Sequence, residues 1–337
     1  MCDRKPVLSL AYLAAAVLAC SGGGGGSSSG GGDGAGGGIA SRYPGDQGIE
    51  ADPAVVWSEG FEEGAIGAVT ARYEDFKNPA GMELITDVPP GSAGGASIRM
   101  TAGGSASATD LYKRLADHDE LFARWYAKYE PGVKWHHSGV WLGGYSPPSN
   151  WPNPQAGLRP DGDDRFSVSL EPVWDVGGAA PRFDFYSYWM TMHSWMEAPS
   201  GGTAYYGNTL VHQQAFTVDE GRWVCLEVHV KLNTDASSPA GAVLEVWKND
   251  ALVQRFDEDG PLGYWIRDKF CPGGADGGEC TAYPAPADTV LDLQYRSTQA
   301  LRLNAFWPQN YITDDGAVGS VQYDDMVVAT ERVGCLR

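Results

Sequence analysis

From residue 55 onward, apolar and polar positions alternate in short runs broken by Gly, Pro, Asp and Asn. The clearest runs are 121–129, 165–174, 182–191, 222–233, 241–248 and 320–330. A period of two sends successive side chains to opposite faces of a strand. One face of each run then enters a core, and the other meets solvent or ligand. Lys248-Asn249-Asp250, between Trp247 and Leu252, marks a hairpin turn. Helical spacing is scarce, and 110–121 is the best candidate for a short helix. No repeat of 20–50 residues is present. With no second linker, the pattern predicts one large antiparallel all-β sandwich over roughly 50–337.

Composition agrees with a packed β domain. Of the 337 residues, 43% are hydrophobic and 11% aromatic, which excludes disorder throughout. The 12 tryptophans fit a β core or a surface that stacks on flat ligands. Lys and Arg number 24 against 43 Asp and Glu, a net charge of -19. Such a surface repels nucleic acid and anionic lipid, so neither is an expected partner.

The N-terminus reads as an export address. Arg4 and Lys5 precede an apolar stretch, 7–19, that is too short to span a bilayer. It closes on Val17-Leu18-Ala19-Cys20, which resembles a bacterial lipobox, with Cys20 as the lipidated residue. A plain secretory signal cleaved nearby is the alternative. Ser21 after the cysteine fits sorting to the outer membrane or cell surface. The expected organisation is a lipoprotein signal peptide at 1–19, an anchor and Gly/Ser-rich linker at 20–45, and a folded domain at 46–337. The coil 21–38 has an r.m.s. reach of roughly 20–25 Å, enough to hold a domain off a membrane. Cys225, Cys271, Cys280 and Cys335 are an even set in an exported domain. Cys271 and Cys280 bracket a Gly-rich loop and are expected to pair locally, leaving Cys225 for Cys335. Their spacing matches no zinc pattern, and no metal site is assigned.

Two runs carry candidate chemistry. In 165–172 one face is Phe166, Val168 and Leu170, and the other is Arg165, Ser167, Ser169 and Glu171. In 182–190 the face opposite Phe183 and Phe185 presents Asp184, Tyr186 and Tyr188. Same-face neighbours lie about 7 Å apart, close to the spacing of polar groups along an extended sugar chain. Trp141, His137 and His193 come from nearby segments, and the Pro-rich connector 146–160 is long enough for a binding loop. The expected site is a polysaccharide groove. Aromatic faces stack on sugar CH groups, while Arg165, Ser167, Ser169, Glu171, Asp184 and His193 meet hydroxyls.

The order LFARWYAKYEPG, GVWLGGY, FSVSLE, DFYSYW, GRWVCLEVHVKLN, LEVWKND and VQYDDMVVA, over roughly 110–330, resembles the jelly-roll polysaccharide lyases. The alginate and glucuronan lyases of families 14 and 20 are the nearest in pattern. The resemblance implies a concanavalin A-like antiparallel β-sandwich (jelly roll) and cleavage by β-elimination. The family's Tyr-x-Tyr pair is present as Tyr186 and Tyr188. Its Ser-x-Arg pair becomes Ser169-Leu170-Glu171, and its Gly-Gly-Lys segment becomes Gly139-Val140-Trp141. Two family cations are thus Glu171 and Trp141 here. Elimination from a uronate needs its carboxylate neutralised, so these departures favour a neutral sugar, unless Arg165, His137 or Lys134 compensates.

Three readings follow. A lyase uses Tyr186 or Tyr188 as base and acid, His137 in support and Arg165 on the uronate. A lectin-like domain binds in the same groove without cutting. A glycoside hydrolase pairs Glu171 with Asp184, which requires carboxylates about 5–9.5 Å apart. No cofactor is required. A structural calcium is a possibility at Asp161, Asp163 and Asp164, or at Glu62 with Asp325. The expected state is a monomer.

Overall fold

The computed structural model describes residues 37–337 except 105–107, 151–155, 174–180, 194–195, 198–202, 258–261, 267–268, 273–288 and 314–316. The expected signal peptide, Cys20 and Cys280, one half of the expected Cys271–Cys280 pair, lie outside the described residues. In chain order the elements are β1 (Val55–Glu59), α1 (Ile66–Thr70), β2 (Asp75–Lys77), β3 (Met82–Ile85), β4 (Ser97–Gly103), β5 (Ala108–His118), β6 (Glu120–Tyr129), β7 (Val140–Tyr145), β8 (Arg165–Val173) and β9 (Arg182–Tyr188). There follow β10 (Met196–Glu197), β11 (Thr203–Ala204), β12 (Val224–Lys231), β13 (Val243–Lys248), β14 (Ala251–Phe256), β15 (Gly263–Ile266), β16 (Lys269–Pro272), β17 (Thr289–Leu291), β18 (Leu303–Tyr311) and β19 (Val318–Ala329).

Two antiparallel sheets dominate. One runs β14-β13-β12-β6-β19-β4-β3, with β1 also on β19; the other runs β2-β5-β18-β7-β8-β9. The chain is a β-sandwich, as its alternation predicts, and a jelly roll, as the resemblance implies. Leu121, Ala123, Trp125 and Tyr129 of β6 and Leu226 and Val228 of β12 face inward. They share one buried cluster with Val168, Leu170, Phe183, Phe185 and Phe306 of the second sheet. Tyr129 meets Phe183 edge-on at 5.6 Å, which marks the contact between layers.

Two sequence expectations change and a third holds. The segment 110–121 is not a helix; most of it lies in β5, paired with β2 and β18. Leu111 and Tyr112 sit on opposite faces and are both fully buried, a demand that only a central strand meets. The folded unit begins at Gly37, earlier than the expected 46. Ile39 and Ala40 bury against Val327, Ala329 and Val333, and their N–H groups donate to the Arg332 and Val333 carbonyls. The hairpin between β13 and β14 forms as expected, with Asn249 and Asp250 both at positive φ.

Cys225 and Cys335 form a disulfide that ties the C-terminus to β12. On the outer face of the larger sheet, His229 lies flat on Phe122, with ring centroids 3.9 Å apart. Its two nitrogens meet Glu245 at 2.5 Å and Glu120 at 2.9 Å. Among the described residues, no helix is long and apolar enough to cross a membrane.

Candidate active site

The pairing of β18, β7, β8 and β9 sets the geometry. Trp307 lies opposite Trp141, Trp141 opposite Ser169, and Ser169 opposite Tyr186. The neighbouring row is Gly143, Ser167 and Tyr188; on the other side Glu171 faces Asp184. Residues directly opposite in a ladder point to the same side. The expected hydroxyls, phenols and carboxylates therefore share the face turned away from the core. Gly139 makes the close strand approach possible, since a Cβ there would stand 2.2 Å from the Leu170 carbonyl oxygen.

The side chains on this face interlock. Tyr186 and Tyr188 hydroxyls are 3.2 Å apart. His137 packs on Tyr186 with ring centroids 4.4 Å apart, and parallel to Tyr311 at 5.9 Å. Its Nδ1 lies 2.8 Å from Glu171 Oε1, while Ser169 donates to Glu171 Oε2 at 3.0 Å. The carboxylate assigns the proton to Nδ1 in the neutral ring and leaves the lone pair on Nε2. Burial pushes the Tyr186 phenol far above its ordinary range, and the neighbouring Tyr188 adds to this. Burial raises Tyr188 too, but there the Tyr186 hydroxyl and the Gly207 N–H pull the other way. Burial favours the protonated form of both phenols, so each presents an O–H that can donate a hydrogen bond.

The face is covered more completely than the alternation implied. Tyr188, Ser167 and Glu171 are 1% exposed, and Ser169 and Asp184 are fully buried. The segment 204–212 lies over this end. Gly207 sits so close to the Tyr186 ring that an added Cβ would meet it at 2.6 Å. At the other end Tyr112 donates to the Ser149 carbonyl. Among the described residues, the accessible edge of this face, its mouth, holds His137, whose side chain is 18% exposed, with the half-buried Tyr186 and Tyr311.

Several expected substrate contacts have other partners. Asp184 accepts from the N–H groups of Phe185, Leu210, Val211 and His212 and from Arg182. It anchors the covering segment, which removes it from a hydrolase pair with Glu171. Trp141 is no open platform: it stacks on Trp307 at 5.2 Å and donates to Gln309. Arg165 is buried and bound to Asp164, at the end of its strand away from Glu171. The Ser167 hydroxyl is buried with no hydrogen-bond partner among the described residues. The His193 N–H and carbonyl both bind the Asn208 side chain, bracing the cover.

Four residues of this face escaped the sequence reading: Trp307, Gln309, Tyr311 and Asp110. The first three alternate along β18, so a period-two count over 303–311 would have found them. Asp110 is fully buried opposite Gln309, with Lys77 at 3.8 Å. Burial raises its carboxyl to about 7, against the pull of Lys77.

Among the described residues no group of three or more His, Cys, Asp or Glu is placed to hold a metal ion. Of the calcium candidates, Glu62 accepts from the Gly95 and Ala96 N–H groups, and Asp164 binds Arg165.

This architecture is the jelly roll seen in solved alginate lyases. The alginate lyase Aly36B, solved as a variant in complex with alginate tetrasaccharide, superposes with a TM-score of 0.52 at 12% identity, over 84% of this chain and 99% of that one. The marine PL-14 alginate lyase from Aplysia kurodai gives 0.50 at 13% identity, over 82% and 99%. At such identities the likeness establishes the fold. No protein-family model and no curated protein sequence matches the chain.

Proposed function

We propose that the domain binds a polysaccharide over the mouth of this site and cleaves it by β-elimination. The observation that carries the reading is the grouping of the Tyr186–Tyr188 phenol pair with a His137–Glu171 dyad on one sheet face. In this reading His137 Nε2 takes the C5 proton of a uronate ring. The electron pair forms the C4–C5 double bond, the C4–O bond breaks, and a phenol protonates the departing oxygen. Glu171 holds the imidazole in its basic tautomer, and Ser169 holds Glu171. We further propose that the protein acts on the cell surface, tethered by a lipid on Cys20.

The test is to incubate the domain with a polysaccharide panel and follow the ultraviolet absorbance of unsaturated ends. Tyr186→Phe/Tyr188→Phe should lose turnover by about 10²–10⁴-fold while still binding oligosaccharide. Undiminished turnover overturns the assignment. A non-catalytic binding domain is the second reading; the near-complete burial of Tyr188 favours it. Saturable binding with no unsaturated product across the panel would select it.

A further inference from the structure

We propose that the uronate units cut here carry their carboxyl groups as esters, so that the substrate is an esterified polyuronate and not the free polyanion. This rests on the elimination reading above and names its substrate class.

The chemistry sets the requirement. Removing the C5 proton next to a free carboxylate puts a second negative charge on the same carboxyl group. A site that does this needs a cation or several strong donors at that carboxyl. Next to an ester carbonyl the same step creates only one charge, and the C5 proton is intrinsically more acidic.

The side chain held between His137 and Ser169 is a carboxyl, Glu171, 1% exposed; the other imidazole at the mouth, His136, has its ring centroid 3.9 Å from that of His137. A buried carboxylate repels a second one strongly, since little water screens the pair. Arg165, Arg182 and Lys77 come from strands of this sheet, and each is bound to a carboxylate of its own: Asp164, Asp184 and Asp110. Arg159 lies over the Tyr205 ring in the covering layer. His137 cannot both neutralise the substrate as a cation and accept its proton. The wall beside the phenols is apolar: Trp141 stands edge-on to Tyr186 at 6.1 Å, with Trp307 stacked behind it. Both indoles are buried, and the Trp141 N–H is taken by Gln309, so it is not offered to a carboxylate. The net charge of -19 acts in the same direction, opposing a polyanion and not its neutral ester.

The step balances without a further reagent. His137 Nε2 gains the C5 proton, and the C5–H electrons become the C4–C5 double bond. The C4–O electrons go to the leaving oxygen, which takes the phenol proton, and the ester is untouched. The proton on His137 returns to the phenolate through solvent.

The experiment compares three polymers, homogalacturonan, glucuronan and alginate, each as the free acid and as its methyl ester. Unsaturated ends are measured for both forms. At least one ester should be cut with a kcat/KM at least about tenfold above its own free acid, given a repulsion of this kind. Glu171→Gln should narrow that ratio, a readout that cancels any common loss from a misplaced imidazole. A free acid cut as fast as its ester, or a ratio unmoved by Glu171→Gln, overturns the ester inference and leaves elimination standing. No unsaturated product from either form of any polymer overturns the elimination reading itself.

Discussion

Asp184 makes the sharpest energetic prediction. Its Oδ1 accepts from the Phe185, Leu210 and Val211 N–H groups, each at 2.8 Å. Its Oδ2 accepts from Arg182 at 2.8 Å and the His212 N–H at 2.9 Å. In Asp184→Asn the side chain keeps one acceptor oxygen and presents an NH₂ to two donors. Two charge-assisted hydrogen bonds, each worth about 1.5–3 kcal/mol, are replaced by donor–donor contacts. Arg182 is 5% exposed and loses its carboxylate, and breaking a buried ion pair costs about 3–5 kcal/mol. These figures describe the same event from two sides, so the expected loss is about 3–5 kcal/mol, not their sum. Glu83→Gln is the control: it removes the carboxylate of the Arg99 pair, whose side chains are 37% and 62% exposed, so the loss should stay below about 1 kcal/mol. Urea unfolding followed by tryptophan fluorescence measures both. Hydrogen exchange at residues 210–212 should accelerate in Asp184→Asn beyond what the global loss explains. A loss under about 1 kcal/mol, or unchanged exchange there, refutes the clamp.

Further expectations concern cover, pH and crosslink. Gly207→Val should press on the Tyr186 ring and cut turnover in the ultraviolet assay, while the urea midpoint falls little; full turnover would show that the covering segment does not set the phenol's position. Burial alone would lower the His229 pKa, but the hydrogen bonds and charges of Glu120 and Glu245 outweigh it and hold it raised. A raised folded value means that this stabilisation is complete below the unfolded value of about 6.5 and is lost as pH rises through the folded one. Urea midpoints across that range should therefore decline more in wild type than in His229→Gln, and equal slopes would contradict the pairing. Cys225→Ser/Cys335→Ser opens a crosslink across a sequence separation of 110 residues, and should cost about 2–5 kcal/mol in the same urea assay.

The strand pattern was legible because period two survives in almost every core strand, from Phe166, Val168 and Leu170 to Phe183 and Phe185. The same alternation placed Ser169 and Tyr186 on a shared face, and register made them direct neighbours. Alternation says which way a side chain points but not what lies above it. The covering segment 204–212 carries no periodic signal, so the burial of Tyr188 and the true partners of Asp184 were invisible. The 110–121 stretch misled for a related reason: Leu111, Leu115 and Leu121 match a helix, but pairing with β18 and β2 overrode that local spacing. The Glu171–His137 contact joins residues 34 apart and exists only because the loop before β7 returns to β8.

The most direct test of the site is a crystal structure of Tyr186→Phe/Tyr188→Phe soaked with an oligomer of methyl-esterified uronate. The account predicts a sugar ring at the mouth between Tyr311 and residue 186, with its C5 hydrogen facing His137 Nε2. An oligosaccharide bound on the outer face of the larger sheet, with the mouth left empty, would contradict it.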